Sequence, residues 1–352
     1  MKKIFFYFII FIFPINCFAL TDNSKSCVAI DIDSGRILYE KNKDNKQLIA
    51  SITKIMTCIV TLENSDLNDT VKVGEEILKM YGTNIYLELG EKITVKDLLY
   101  GLMLRSGNDA AITLATYVAG SEEKFVKMMN EKAIELGMNN TVFSNSHGLD
   151  DDSCNYSTAY DMAILSKYAF GNKKYREIIS TKRFSTKSSI KSYYWINRMS
   201  LLNDYKYCIG GKNGYTPKAG KTLVSLASKN DLILSVVSLD DNNIYDNHKD
   251  IYEMLFDKYK KYLIIDKDNF NINSYFYNDD VYIKKSFYYT LSENEINSIT
   301  TLVNLYHKSK NNIVGEVIIK LDNYEIGRLK IYKKAKKKKE KSLFRKIIFE
   351  IF

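Results

Sequence analysis

Two prolines in 352 residues, beside 16 glycines, exclude collagen-like and proline-rich architectures. Three histidines (147, 248 and 307) stand singly, and the five cysteines (17, 27, 58, 154 and 208) form no CxxC or CxH pair, so no metal-ligand cluster is legible and no cofactor is expected. Disulfide pairing stays open for the cysteines after position 17, although a chain this long does not need it. No repeat at solenoid spacing and no low-complexity segment beyond one lysine tract is found. What is present is core material. The chain is 45% hydrophobic against 26% charged, which excludes a disordered tail protein and suits one large domain or two. Its 27 tyrosines, with abundant Lys, Asn and Ile, weaken propensity arguments throughout.

The net charge of +9 suggests a nucleic-acid partner until it is located. Eleven Lys and Arg from Arg328 onward, against Glu340 and Glu350, hold the whole excess. With Lys2 and Lys3 also set aside the body is slightly acidic, so no nucleic-acid partner is expected.

Both ends read as targeting segments. Met1 to Ala19 has a basic start, an apolar stretch from Ile4 to Ile15 and a small residue at Ala19, the pattern of a cleaved signal peptide. The apolar run is about a dozen residues where a spanning helix needs roughly 20. Cys17 offers the alternative of a lipid-modified cysteine, but Pro14-Ile15-Asn16 before it lacks small residues. At the other end Lys333 to Lys341 is nearly pure charge. Leu343, Phe344, Ile347, Ile348 and Ile351 then recur at helical spacing, which suits an amphipathic helix lying in an anionic membrane surface.

Between the ends, Cys27 to Glu40 reads as two strands about a turn at Asp33-Ser34-Gly35. Helices are expected over Ser51–Leu62, Val95–Val118 (one or two), Ser121–Leu136, Tyr156–Phe170 and Asn247–Tyr262. Thr222–Ser228 and Leu232–Val237 return to strand. The pattern predicts one α/β domain whose sheet takes in both ends of the segment. Beyond Ile265 short Tyr- and Ile-rich runs suggest a small β domain. The expected boundaries are 1–19 signal, 20–263 main domain, 264–332 β domain and 333–352 tail.

Three short patterns carry chemistry. In Ser51-Ile-Thr-Lys54 the one-turn spacing puts the amine beside the hydroxyl, and a lysine held among apolar groups and another cation can take the serine proton. Ser106-Gly-Asn108 brings a hydroxyl and a carboxamide to one cleft. Lys212-Asn-Gly214 gives a positive charge, and a glycine that lets a ligand lie against an edge strand. None is specific alone, since SxxK recurs at Ser121 and Ser188, SxN at Ser153, Ser228, Ser292 and Ser309, and KxG at Lys72 and Lys218.

Order and context decide. Ala50-Ser-Ile-Thr-Lys-Ile-Met-Thr57, Leu98-Leu-Tyr-Gly-Leu-Met-Leu-Arg-Ser-Gly-Asn-Asp-Ala-Ala111, Phe143-Ser-Asn-Ser-His-Gly-Leu149 and Gly211-Lys-Asn-Gly-Tyr-Thr-Pro-Lys-Ala-Gly220 closely resemble low-molecular-weight penicillin-binding proteins of the serine-type D-Ala-D-Ala carboxypeptidase family. The resemblance runs from about Cys27 to Tyr262. It implies an α/β penicillin-binding, β-lactamase-like transpeptidase domain, with an antiparallel sheet and helices, followed by a small β-rich domain. The implied partners are peptidoglycan stem peptides ending in D-Ala-D-Ala, β-lactams as inhibitors, and an anionic membrane surface under the tail of an exported enzyme.

The same resemblance implies Ser51 as nucleophile, Lys54 as base, Ser106 as proton relay and Lys212 as its electrostatic support. Asn108 would bond the substrate backbone, and the amides of Ser51 and Tyr215 would form the oxyanion hole. Asn213 stands where the family usually has Thr at the substrate carboxylate, with altered geometry or weakened activity as the two readings. Arg198 is the expected second carboxylate partner, a surface arginine being the alternative. His147 is expected to be structural. A β-lactamase and a non-catalytic wall- or drug-binding protein remain rival functions.

Overall fold

The computed structural model describes residues 22–150, 154–272, 281–310 and 312–333. The expected signal segment and the tail after Lys333 lie outside them. The described residues form two compact units, the first running to Leu255 apart from the turn Asn230–Leu232, the second beginning at Phe256.

The first unit is built on a five-stranded sheet. Its strands β1 (Ser26–Asp31), β2 (Ile37–Lys41), β3 (Cys208–Thr216), β4 (Gly220–Lys229) and β5 (Leu232–Leu239) lie in the order β2-β1-β5-β4-β3. β1 is antiparallel to both its neighbours, with Ser26 opposite Leu239 and Asp31 opposite Leu234, so the two ends of the segment meet mid-sheet. Both faces are covered, as alternation along β4 shows. Val224 and Leu226 enter the main core, while Ser225 between them faces the closing helix Ile244–Lys258. There its hydroxyl lies 2.7 Å from His248 Nδ1 and 2.8 Å from the Tyr252 hydroxyl, and Ser238 of β5 meets His248 Nε2 at 2.8 Å. Burial pushes the pKa of His248 down to about 3, so this histidine is a neutral packing group.

On the other face lie α1 (Lys54–Asn64), α2 (Val95–Arg105), α3 (Asn108–Ala119), α4 (Glu122–Glu135) and α5 (Ala159–Gly171). The first eight residues of α1 are all buried, because α2, α3, α4 and α5 surround it. Local chemistry sets the helix starts: Thr94, Ser121 and Thr158 each cap a helix by accepting from the backbone N–H three residues on. The second SxxK match is therefore an N-cap. The third is a hairpin turn, where Ser188 Oγ accepts from the N–H groups of Ile190 and Lys191 at 3.2 Å.

Several expected bounds move. The helix expected from Tyr156 begins at Ala159, since Tyr156–Ser157 pairs with Gln47–Leu48. The closing helix stops at Lys258; Tyr259–Ile265, aromatic and β-branched, forms a strand paired with Phe287–Ser292. The remainder of the second unit is a four-stranded sheet in the order Val281–Ile283, Tyr324–Lys333, Ile313–Leu321, Ile299–Lys310. Alternate residues Val317 and Ile319, and Leu329 and Ile331, build its own core.

Candidate active site

Ser51 lies in a 3-10 turn, Ala50–Thr53, and α1 begins only at Lys54. In a 3-10 turn side chains three apart eclipse, so Lys54 Nζ still comes within 3.1 Å of Ser51 Oγ. Ala50 holds a left-handed backbone, φ 48°, at a cost of about 1 kcal/mol for a residue with a Cβ. Neighbouring backbone enforces it. A Cβ on Gly148 would sit 2.1 Å from the Ala50 carbonyl oxygen, and Thr222 Oγ1 donates to the Ile49 carbonyl at 3.0 Å.

Lys54 is wholly buried. Besides Ser51, its amine meets Asn108 Oδ1 at 2.8 Å and the His147 carbonyl at 2.5 Å. Burial first, and the nearby Lys212 second, push its pKa well below the lysine range, against a smaller opposing effect of Asp109. A neutral amine has two N–H groups and one lone pair. The two carbonyl oxygens take the former, which leaves the lone pair for the Ser51 hydroxyl proton.

The partners of Lys54 are fixed in turn. Asn108 opens α3, and its Nδ2 donates to the Tyr81 carbonyl at 2.7 Å. One lone pair and one N–H of the carboxamide remain for a ligand. Asp109 accepts from the N–H of Ile85 at 2.9 Å and of Leu87 at 3.0 Å, clamping the 81–87 loop to the start of α3. His147 acts through its backbone. Its ring is pushed down to about pKa 3, by burial first and Lys54 second, while Glu122 Oε1 accepts from the N–H and hydroxyl of Ser146 beside it. Ser106 ends α2 in a left-handed conformation, φ 64°, and its hydroxyl makes no hydrogen bond among the described residues. Strain at an uncommitted hydroxyl is a mark of functional positions.

The opposite wall is β3, the edge strand. Gly214 passes so close that a Cβ there would lie 2.7 Å from Ser51 N and 3.1 Å from Ile52 N, so only glycine admits the strand. Lys212 is buried and donates to the Asn213 carbonyl at 2.6 Å; burial and then Arg198 lower its pKa to about 7. Arg198 donates from its side chain to Thr83 Oγ1 at 3.3 Å and from its backbone N–H to the Leu104 carbonyl at 3.0 Å. Tyr215 is 65% exposed. Hydrogen bonds thus join Ser51, Lys54 and Asn108, backbone contact joins Gly214 to Ser51, and charge links Lys212 to Arg198. No hydrogen bond joins Ser106 to Lys212.

A family model described as Peptidase S11, D-alanyl-D-alanine carboxypeptidase, matches residues 18–243. The chain belongs to the D-alanyl-D-alanine carboxypeptidase family. D-alanyl-D-alanine carboxypeptidase DacF of Bacillus subtilis is 38% identical over 219 residues, 60% of this chain and 56% of that protein. DacC of Escherichia coli is 36% identical over 228 residues, 61% and 56% of the two. The chain therefore spans about half the length of the curated relatives it matches. Penicillin-binding protein 5 of Haemophilus influenzae superposes with a TM-score of 0.75 at 26% identity, over 89% of this chain and 96% of that one.

In this carboxypeptidase fold some contributors escaped the motif reading. Gly148 and the His147 carbonyl lie in the Asn145–Leu149 stretch that carried the resemblance, and Asp109 directly follows Ser106-Gly-Asn108. Their signal was position within those stretches. Among the described residues no group of three or more His, Cys, Asp and Glu is placed to hold a metal, and the four described cysteines are free thiols.

Proposed function

We propose that the protein is a serine D-alanyl-D-alanine carboxypeptidase, removing the terminal D-Ala of peptidoglycan stem peptides through a penicillin-sensitive acyl-enzyme. The observation that carries this reading is the Ser51–Lys54 pair, 3.1 Å apart, with the amine buried and its charge disfavoured. Lys54 Nζ takes the proton from Ser51 Oγ as the oxygen attacks the carbonyl between the two D-alanines. The oxyanion forms against the N–H groups of Ser51 and Tyr215; one such donor is typically worth about 100- to 1000-fold in rate. The C–N bond breaks as Ser106 passes a proton to the leaving amine, and water then hydrolyses the ester. Arg198 and Lys212, with Asn213, face the terminal carboxylate, and Asn108 offers its remaining N–H and lone pair to the substrate backbone. Asn213 in place of Thr favours a second reading, a wall- or drug-binding protein with weakened turnover.

D-Ala release from a peptide ending in D-Ala-D-Ala, with and without penicillin, separates the readings. Release blocked by penicillin supports the carboxypeptidase. Labelling without release supports the binding protein, and rapid penicillin hydrolysis the β-lactamase. We further propose the arrangement 1–19 signal, 20–263 catalytic domain, 264–332 β domain and 333–352 anchor, in an enzyme on the outer face of the cytoplasmic membrane. Among the described residues no helix is long and apolar enough to cross a membrane. The mature protein should sediment with anionic vesicles, and a chain ending at Tyr332 should not. Sedimentation of both would place the anchor elsewhere.

A further inference from the structure

The groups that surround Ser51 sit on separate stretches of chain, and a buried carboxylate outside the three motifs joins two of them. The Asn145–Leu149 stretch carries the His147 carbonyl that holds Lys54 Nζ and the glycine that seats Ala50. It is braced within itself: Asn145 Oδ1 accepts from the N–H of Gly148 at 2.7 Å, and Asn145 Nδ2 donates to the Leu149 carbonyl at 2.9 Å. Asp150 follows directly and is 6% exposed. Its Oδ2 accepts from the Thr216 hydroxyl at 2.5 Å, and its carbonyl accepts from Lys218 Nζ at 2.7 Å.

Thr216 is the last residue of β3 and alternates onto the same buried side as Lys212 and Gly214. Its hydroxyl has both roles fixed: it accepts from the Ala219 N–H at 3.0 Å and gives its proton to Asp150. The turn into β4 and the end of β3 are thus tied to one carboxylate. The adjoining residue, Tyr215, supplies the N–H that the proposed mechanism places at the oxyanion. Because β3 is an edge strand paired with β4 on one side alone, a charge-assisted bond at its end limits how far it can splay from Ser51.

We propose that Asp150 is a positioning residue for acylation: through Thr216 it sets the approach of the Tyr215 N–H to the reacting carbonyl, keyed to the same braced stretch that holds Lys54. This deepens the carboxypeptidase reading and rests on it for the place of the oxyanion. A displaced donor is weakened, not deleted, so the loss should lie below the 100- to 1000-fold that is typical, to an order of magnitude, of removing one.

The experiment measures acylation of the full chain by benzylpenicillin and D-Ala release from a peptide ending in D-Ala-D-Ala. Thr216→Val keeps the shape of the side chain without its hydroxyl, and Asp150→Ala removes the carboxylate. Each should slow acylation about tenfold and lower kcat by a similar factor, with KM held within about twofold. Thr216→Ser, which keeps the hydroxyl, should recover all but about twofold of the loss, and Asp150→Ala/Thr216→Val should be no slower than the slower single variant, as for two groups sharing one bond. Labelling at long times should reach the same stoichiometry in every variant, so that a slower rate is not a smaller folded fraction. Unchanged rates, a Thr216→Ser loss equal to that of Thr216→Val, additive losses in the double variant or a loss carried by KM would overturn the assignment, as would incomplete labelling, which marks lost fold and not lost alignment. If the unaltered enzyme neither acylates nor releases D-Ala, the carboxypeptidase reading falls and this assignment with it.

Discussion

The two ends of the cleft are built on opposite physical plans. At the Ser51–Lys54 end the polar groups are buried and satisfied within the protein: one amine, two carbonyl oxygens and one hydroxyl account for each other, and the lysine's charge is suppressed. At the Arg198–Asn213 end the two cations differ: Arg198 is exposed, and Lys212 is buried with its pKa lowered to about 7. Under the proposed function the first plan stores a base and the second waits for an anion from outside. Chemistry that moves a proton needs a fixed environment, whereas recognition of a carboxylate needs donors not yet used.

Changes at the two ends should therefore fail differently, and the largest failure belongs to the buried end. Lys54→Ala should cut acylation by about 1000-fold or more, with Ser51→Ala/Lys54→Ala no worse than Ser51→Ala alone, since the pair acts as a unit. A strong response of kcat to pH near 6.5 would instead point to a histidine base, which the buried, neutral His147 does not allow. Next comes Gly148→Ala. Its Cβ has no space beside the Ala50 carbonyl and its φ is 91°, so thermal stability should fall by more than about 1 kcal/mol, and acylation with it. Retained stability and rate would mean the turn before Ser51 yields easily.

The open end should show itself in KM. Lys212 has its pKa lowered to about 7, so it is cationic below that value and loses its charge as pH rises through it. KM for a peptide ending in a free carboxylate should be flat below pH 7 and rise several-fold toward pH 9, with Arg198 limiting the loss. A flat profile would take Lys212 out of carboxylate binding. Smallest is Asn213→Thr, expected to hold or raise kcat/KM; a collapse would give the Asn a role of its own.

Legibility in the sequence divides along the same line. The Ser51–Lys54 spacing and a sheet that takes in both ends of the segment were legible from local pattern. Val95–Val118 left one helix or two open, and the pairing of β1 with β5 is a long-range contact that local pattern does not specify. β3 did not read as a strand, because Gly210, Gly211, Asn213 and Gly214 lack the β-branched and aromatic side chains that signal one. Gly214 lies against the backbone of Ser51, Gly211 against that of Val224 and Gly210 against Ile179, information that only tertiary structure carries. The left-handed Ala50 and Ser106 were hidden for the same reason: packing around them, not their own preference, fixes their backbone.

The central claim, that Ser51 is the acylated nucleophile, is tested most directly by mass spectrometry of the penicillin-treated protein after tryptic digestion. The account predicts one adduct, on the peptide Gln47–Lys54, with fragment ions assigning it to Ser51 and not Thr53. An adduct on the peptide holding Ser106, or on any other serine while Gln47–Lys54 stays unmodified, would contradict it.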